Sequence, residues 1–243
     1  MQLLVVGAGE MGRWFAAHCG AESVAFADRD PETAREAAAA LERAEAVAVD
    51  TRRTFDVVCL AVPMSATATA IETHADRATR AVVDVSGEMR DAVDALESHA
   101  EGRERASFHP LFSASNAPGN VPVVTVEGGS TIERITTALK SADNDVFETT
   151  IETHDDAMET VQAKAHTAVL AYALAADDVD SRFHTALSGP LSELVDGLTG
   201  NNPAVYAEIQ DRFEGGEAVA EAAAKLADAD RNAFAELYEE AGE

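Results

Sequence analysis

The stretch that decides the fold is Gln2-Leu3-Leu4-Val5-Val6-Gly7-Ala8-Gly9-Glu10-Met11-Gly12. Its first part is a short apolar run closed by glycine, the pattern of a strand buried on both faces in a parallel sheet. A helical pattern from about Met11 to Cys19 follows directly. A Gly-x-Gly-x-x-Gly on its own is a weak signal, but between a strand and a helix it is a dinucleotide fingerprint. In that reading Gly7 makes the tight turn, Gly9 lets the backbone approach a pyrophosphate, and Gly12 lets helix and strand pack closely. The first-turn N–H groups and the positive end of the helix dipole then hold the diphosphate. A second strand, Ser23–Ala27, ends at Asp28, 21 residues after Gly7, where a carboxylate can accept from both ribose hydroxyls. That carboxylate would repel a 2'-phosphate, so NAD is expected over NADP, although Arg29 beside it could hold such a phosphate. The expected cofactor contacts are Gly7, Gly9, Glu10, Met11, Gly12, Asp28 and Arg29, with Val62 and Pro63 after the fourth strand.

Working outward, strand and helix patterns alternate. Asp30-Pro31-Glu32 opens a helix, with Asp30 as N-cap and Pro31 at the first helical position, running to about Arg43. Strands are expected at Ala46–Val49, Phe55–Val62, Ala81–Val85, Ala106–His109, Val121–Val126 and Asp145–Thr150, with helices between most of them. This spacing calls for a doubly wound parallel sheet covered on both faces. After Thr153 no strand-like run recurs. Thr153 and the acids after it are placed to start a long helix over 154–176, followed by helices near 190–198, 203–213 and 217–241. The expectation is a Rossmann-type dinucleotide-binding domain over 1–150 and an all-helical substrate and dimerisation domain over 151–243.

Composition narrows the partners. Acidic residues number 44 and basic residues 18, a formal charge of -26, which argues against DNA, RNA or an anionic membrane. Of the cations only Lys140, Lys164 and Lys225 are lysine; an acidic, lysine-poor, alanine-rich chain reads as one built for a high-salt cytoplasm, where self-repulsion is screened. Cys19 and Cys59 lack metal-type spacing, so neither a metal site nor a disulfide framework is expected. No signal-peptide pattern opens the chain and no apolar run approaches ~20 residues, so a cytoplasmic protein is expected.

Five further segments carry the chemistry: Phe108-His109-Pro110-Leu111-Phe112, Thr153-His154-Asp155, Gln162-Ala163-Lys164-Ala165-His166, Leu187-Ser188-Gly189-Pro190-Leu191, and Asn201-Asn202-Pro203-Ala204-Val205-Tyr206-Ala207-Glu208-Ile209. In this order, behind the glycine fingerprint, they resemble the prephenate/arogenate dehydrogenase family of tyrosine biosynthesis, and the resemblance reaches about Gln210. It implies NAD(P)-dependent oxidative decarboxylation of prephenate to 4-hydroxyphenylpyruvate, with arogenate as the close variant, and a homodimer through the helical domain. His109 matches the family's catalytic histidine. Its chemistry is intelligible from first principles, since an alcohol losing hydride must also give up its proton, and imidazole is the natural base near neutrality. Gln162 and His166 match a motif lining the family's substrate cleft and stand four apart on a helix, and His154 matches a histidine at the start of that helix.

The departures are as specific as the matches. Where the family has Ser/Thr-Ser-x-Lys, this chain reads Ser86-Gly87-Glu88-Met89, retaining only Ser86 as a candidate substrate contact. Between Pro190 and Asn201 there is no arginine, where the family binds a substrate carboxylate. Arg182, Lys164 and Arg212 are the nearby substitutes, with Arg182 the candidate contact. Two other readings stay open: a different two-domain reductase acting on a smaller substrate, and a non-catalytic dinucleotide-binding regulator.

Overall fold

The computed structural model describes residues 1–242. The chain divides into two compact units, Met1–Asp155 and Asp156–Glu243.

The first unit is built on eight strands: β1 (Gln2–Val6), β2 (Ser23–Ala27), β3 (Ala44–Ala46), β4 (Phe55–Leu60), β5 (Ala78–Asp84), β6 (Glu104–Phe108), β7 (Asn120–Glu127) and β8 (Asp145–Glu148). They form one sheet in the order β3-β2-β1-β4-β5-β6-β7-β8. The expected Rossmann-type sheet is present, with one correction: β7 runs antiparallel to β6, while every other pair is parallel. Alternation along the strands feeds two cores. Leu3, Val5, Phe26, Val57, Cys59, Val83, Ala106 and Phe108 face one side. There they meet α1 (Glu10–His18), α2 (Pro31–Ala39) and α5 (Ser130–Ser141) through Phe15, Ala34, Ile135 and Leu139. Leu4, Val6, Val58, Leu60 and Val82 face the other side, against Ile71 of α3 (Met64–His74) and Leu96 of α4 (Arg90–His99). Full burial of such side chains is worth roughly 1.5–3 kcal/mol each. The strand C-termini, held by both layers, deliver the chemistry-bearing residues to one edge of the sheet.

Several expected boundaries move for identifiable reasons. Asp30 does cap α2, accepting from Glu32 N–H with Pro31 at the first helical position. The helix nevertheless stops at Ala39 rather than near Arg43, because Arg43 turns back to donate to the Ala16 and Ala17 carbonyls at the end of α1. The strand expected at 46–49 is β3, shifted to Ala44–Ala46 by its pairing with β2.

The helices from residue 151 onward are α6 (Ile151–Met158), a π-helical stretch (Glu159–Lys164), α7 (Ala165–Ala175), α8 (Ser188–Thr199), α9 (Pro203–Arg212), α10 (Gly216–Asp228) and α11 (Arg231–Glu240). The start signal read at Thr153 belongs to Thr150, whose hydroxyl accepts from Thr153 N–H. The helix expected over 154–176 carries the π stretch because a side chain from α9 enters its ladder. Gln210 Nε2 donates to the Ala163 carbonyl at 3.0 Å, while its Oε1 accepts from the Thr167 hydroxyl at 3.0 Å. The helix expected over 217–241 is two, split where the Asp230 carboxylate caps α11 through Asn232 and Ala233 N–H.

Candidate active site

The glycine loop separates what the fold demands from what a ligand would demand. Gly7 has φ +97°, and a Cβ there would lie 2.2 Å from the Ala61 carbonyl oxygen. A Cβ on Gly12 would lie 2.1 Å from the Gly7 oxygen. Both positions are closed by the protein itself. Gly9 is different: a Cβ there meets nothing within 4 Å, so the space above it is open, as a cradle for a diphosphate would be. Gly9 also precedes α1, whose N-terminus receives no side-chain cap, leaving its first N–H groups for an anion.

Asp28, at the end of β2, ties this loop down. Its carboxylate accepts from Ala8 N–H at 2.8 Å and from Asp30 N–H at 3.0 Å. Each oxygen keeps a further lone pair for a hydroxyl. Gly7, Gly9, Asp28, Arg29, Val62 and Pro63 share one cleft of about 360 Å³. Glu10, Met11 and Gly12 form the first turn of α1 and carry the N–H groups left for an anion, while their side chains do other work: Glu10 is exposed, Met11 packs against the core, and Gly12 seats the helix. The cleft is lined also by Val49, Thr69, Ala70, Thr73 and His74, none of which the sequence reading singled out.

The second cluster stands where β5 and β6 end. Asp84 and Ser107 are register partners there. Asp84 is fully buried, and burial pushes its carboxyl up to about 6 against the lowering pull of the Ser86 and Ser107 hydroxyls. Ser86, expected at the substrate, turns inward: its hydroxyl meets Asp84 Oδ2 at 2.6 Å and the Glu88 carbonyl at 2.9 Å. This fixes the turn that carries Gly87, where an added Cβ would lie 3.5 Å from His109 Nε2. His109 follows the fully buried Phe108, and its backbone N–H continues the antiparallel ladder to the Pro122 carbonyl.

His109 does not stand alone. Its Nδ1 lies 2.8 Å from His154 Nε2, the two rings meeting edge to face, and His154 Nδ1 lies 2.8 Å from Asp155 Oδ1. Arg90 Nε lies 3.7 Å from Asp155 Oδ2 at the outer end. A carboxylate only accepts, so His154 Nδ1 carries the proton it gives to Asp155. When His154 Nε2 accepts from His109 Nδ1–H, the lone pair of His109 stands on Nε2. Burial, reinforced by His154, pushes His109 down to about 3, so the ring is a neutral acceptor across the physiological range. The sequence reading named His109 and His154 but not Asp155 as a working residue, although Asp155 completes the His-Asp pair it quoted.

Gln162, His166 and Arg182 belong to the second unit. Gln162 lies in the π-helical stretch. The His166 ring packs edge-on against Tyr206, centroids 4.9 Å apart, and burial lowers its pKa. Arg182 is exposed and grips Asp180, with Nη2 at 2.6 Å and Nε at 2.9 Å from its carboxylate oxygens. No helix of the described residues is long and apolar enough to cross a membrane.

Comparisons with known proteins agree with this geometry at the level of fold. The model for the family described as NADP oxidoreductase, coenzyme F420-dependent, matches residues 2–88. No curated protein matches the sequence. Among solved structures, prephenate dehydrogenase from Aquifex aeolicus, in complex with hydroxyphenyl propionate and NAD+, superposes with a TM-score of 0.70 at 15% identity, over 94% of this chain and 88% of that one. Arogenate dehydrogenase from Synechocystis gives 0.59 at 15% identity over 100% and 98% of the two chains. 3-Hydroxyisobutyrate dehydrogenase from Mycobacterium tuberculosis gives 0.56 at 17% identity over 98% of each. The chain has the fold these dehydrogenases share.

Proposed function

We propose that this protein is an NAD-dependent dehydrogenase that oxidatively decarboxylates prephenate to 4-hydroxyphenylpyruvate. The observation that carries the reading is the buried His109–His154–Asp155 line, in a unit that also holds the glycine cradle and Asp28. Gly7, Gly9, Asp28, Val62 and Pro63 would hold the dinucleotide, and bound NAD supplies the acceptor for hydride. Around it the chain's own residues do the rest. His109 Nε2 accepts the hydrogen bond of the substrate hydroxyl as the C–H bond on the same carbon gives up its hydride. Breaking the bond to the ring carboxylate releases carbon dioxide, and its electron pair enters the ring. The loss of the hydroxyl proton expected for a simple alcohol oxidation does not occur here: the proton is shared with His109 but stays with the phenol, so atoms and charge balance without net proton release. A neutral acceptor is what this step needs, and the dry setting that keeps His109 neutral also strengthens its hydrogen bond.

The same reading makes residues 1–150 the dinucleotide-binding domain and 151–243 the substrate and dimerisation domain, with Gln162 and His166 as substrate contacts. It takes the dimer from the second unit, where Leu174, Phe183, Leu187 and Tyr238 are all at least 72% exposed, a surface of the kind another copy covers. It also places the protein in a cytoplasm rich in salt, where a charge of -26 is screened.

Arogenate is the second reading, favoured by one contact. Asp180 already neutralises Arg182, and arogenate carries one net negative charge less than prephenate. Steady-state NADH formation with each substrate, at molar potassium chloride, tests both. Turnover of prephenate supports the first; arogenate outrunning it tenfold replaces it with the second. No NADH from either compound overturns both in favour of the non-catalytic regulator.

A further inference from the structure

The cleft lined by Gly7, Gly9 and Asp28 is walled also by Val49, Thr69, Ala70, Thr73 and His74. His74 ends α3 and is only 6% exposed, yet it belongs to neither core contact nor catalytic line. Arg77, one turn on, reaches it: Nη1 lies 2.5 Å from His74 Nδ1 and 2.8 Å from the Val49 carbonyl. A guanidinium has donors only and stays charged. Nδ1 of His74 must therefore accept, and the proton of the neutral ring must sit on Nε2. Burial, with the charge of Arg77 beside it, pushes His74 down to about 4, so this single tautomer persists at neutral pH.

Among the described residues no acceptor meets Nε2. His74 lines the cleft, so this unmet N–H is available to a molecule bound there. The chemistry of a dinucleotide says what it would meet. With a diphosphate over Gly9 and a ribose at Asp28, the base on that ribose is left the remaining lining of the same cleft. That lining offers the apolar side chains of Val49 and Ala70, and one fixed donor.

We propose that His74 reads the purine of the bound dinucleotide, donating from Nε2–H to a ring nitrogen of adenine, with Arg77 locking the tautomer that makes this possible. The ring nitrogens of adenine are acceptors, so a neutral, immobile N–H matches them without adding charge. Arg77 acts as a positioning residue, and it also holds Val49, a second residue of the cleft wall. The inference rests on the dinucleotide reading of this cleft.

Titration calorimetry on the full chain tests it, with NAD and with adenosine monophosphate as probes. His74→Phe keeps the ring volume and removes the donor, and should weaken both probes about three- to tenfold, as expected for one neutral hydrogen bond. His74→Gln places an amide donor near the old Nε2 and should recover most of that loss. Spectra of protein with 15N-labelled histidine supply a readout independent of any variant: His74 should show the Nε2–H tautomer, unchanged from pH 5.5 to 8, with the Nε2–H signal shifting when adenosine monophosphate is added. Wild-type protein that binds NAD while His74→Phe binds it within twofold overturns the purine role alone. A titrating His74, or an Nδ1–H tautomer, also overturns it. Wild-type protein that binds neither NAD nor NADP overturns the dinucleotide reading and this inference with it.

Discussion

The two units spend their apolar residues differently. In Met1–Asp155 the sheet is sandwiched, with Phe15, Phe26, Leu3, Leu4, Leu60, Phe108 and Ile135 all under 2% exposed. In the second unit the buried hydrophobic side chains among the described residues are Met158, Ala163, Ile209 and Phe213. Its α7, Ala165–Ala175, has no acid, lysine or arginine and no buried residue, while Leu174 is 89% exposed. The difference teaches that the Rossmann unit completes its own core, whereas α7 is apolar and open, a surface that the proposed homodimer would cover. The largest expected effect follows. On dilution to nanomolar chain concentration, amide hydrogen exchange should accelerate across α7 and α8 by orders of magnitude, while β1, β4 and β5 stay protected. Exchange in α7 that does not depend on concentration would break the contrast, because the second unit would then be stable alone.

Chemistry sharpens the same contrast, since the hydrogen-bonded line from His109 to Asp155 lies wholly in the self-sufficient unit. His109→Asn should lower turnover ~100-fold or more, with NAD affinity unchanged within twofold. Near-normal turnover would make His109 structural. Asp155→Asn is subtler, because an amide can donate to His154 Nδ1 and reverse both tautomers, leaving the proton of His109 on Nε2. A loss of at least ~10-fold in turnover with KM nearly unchanged is expected, as for an interaction made only in the transition state. An equal rise in KM instead would point to a lost ground-state contact.

The same contrast governs what the sequence could reveal. Strand, glycine turn and helix in Gln2–Gly12 follow from local sterics and a short apolar run, and they appear in the structure as read. Asp30-Pro31 behaves likewise, since a cap is a contact two residues long. The reversed β7 was not legible, because an apolar run such as Val121–Val126 does not encode its direction in a sheet. The π stretch at Glu159–Lys164 depends on Gln210, 47 residues from its partner Ala163, which no helical periodicity announces. At the site, His109 and His154 stood out through their motifs. His74 did not, because its meaning comes from Arg77 and from a cleft assembled by β1, β2 and β4; the available signal was a histidine one helical turn before an arginine. Ser86 was legible as a polar residue at a strand end, but not that Asp84 beneath it would claim its hydroxyl.

The smallest expected effect concerns the pH dependence of the first unit's stability, where buried groups of opposite sign compete. His109 and His74 are pushed down to about 3 and about 4 by burial. An unfolded imidazole takes its proton near pH ~6.5. As pH falls from there, the unfolded chain gains two protons that the native state refuses, so the stability these histidines contribute is present above ~6.5 and is lost on acidification. Asp84 works the other way. Burial raises it to about 6, whereas an unfolded aspartate ionises near ~3.9. The native state therefore holds a proton that the unfolded chain has released, and the stability Asp84 contributes is lost as pH rises from ~4 through 6. Between ~4.5 and 6 two histidines oppose one aspartate, so stability should climb with pH, but by less than the histidines alone would give. Asp84→Asn keeps the shape and the acceptor for Ser86 N–H while removing the titration. Urea unfolding at half-unit steps from pH 4.5 to 7 should show a steeper climb for Asp84→Asn than for wild type, and a shallower one for His74→Phe. Parallel curves for Asp84→Asn and wild type would mean that Asp84 is already ionised throughout this range. Burial at the end of β5 would then cost that carboxylate far less than its closed surroundings imply.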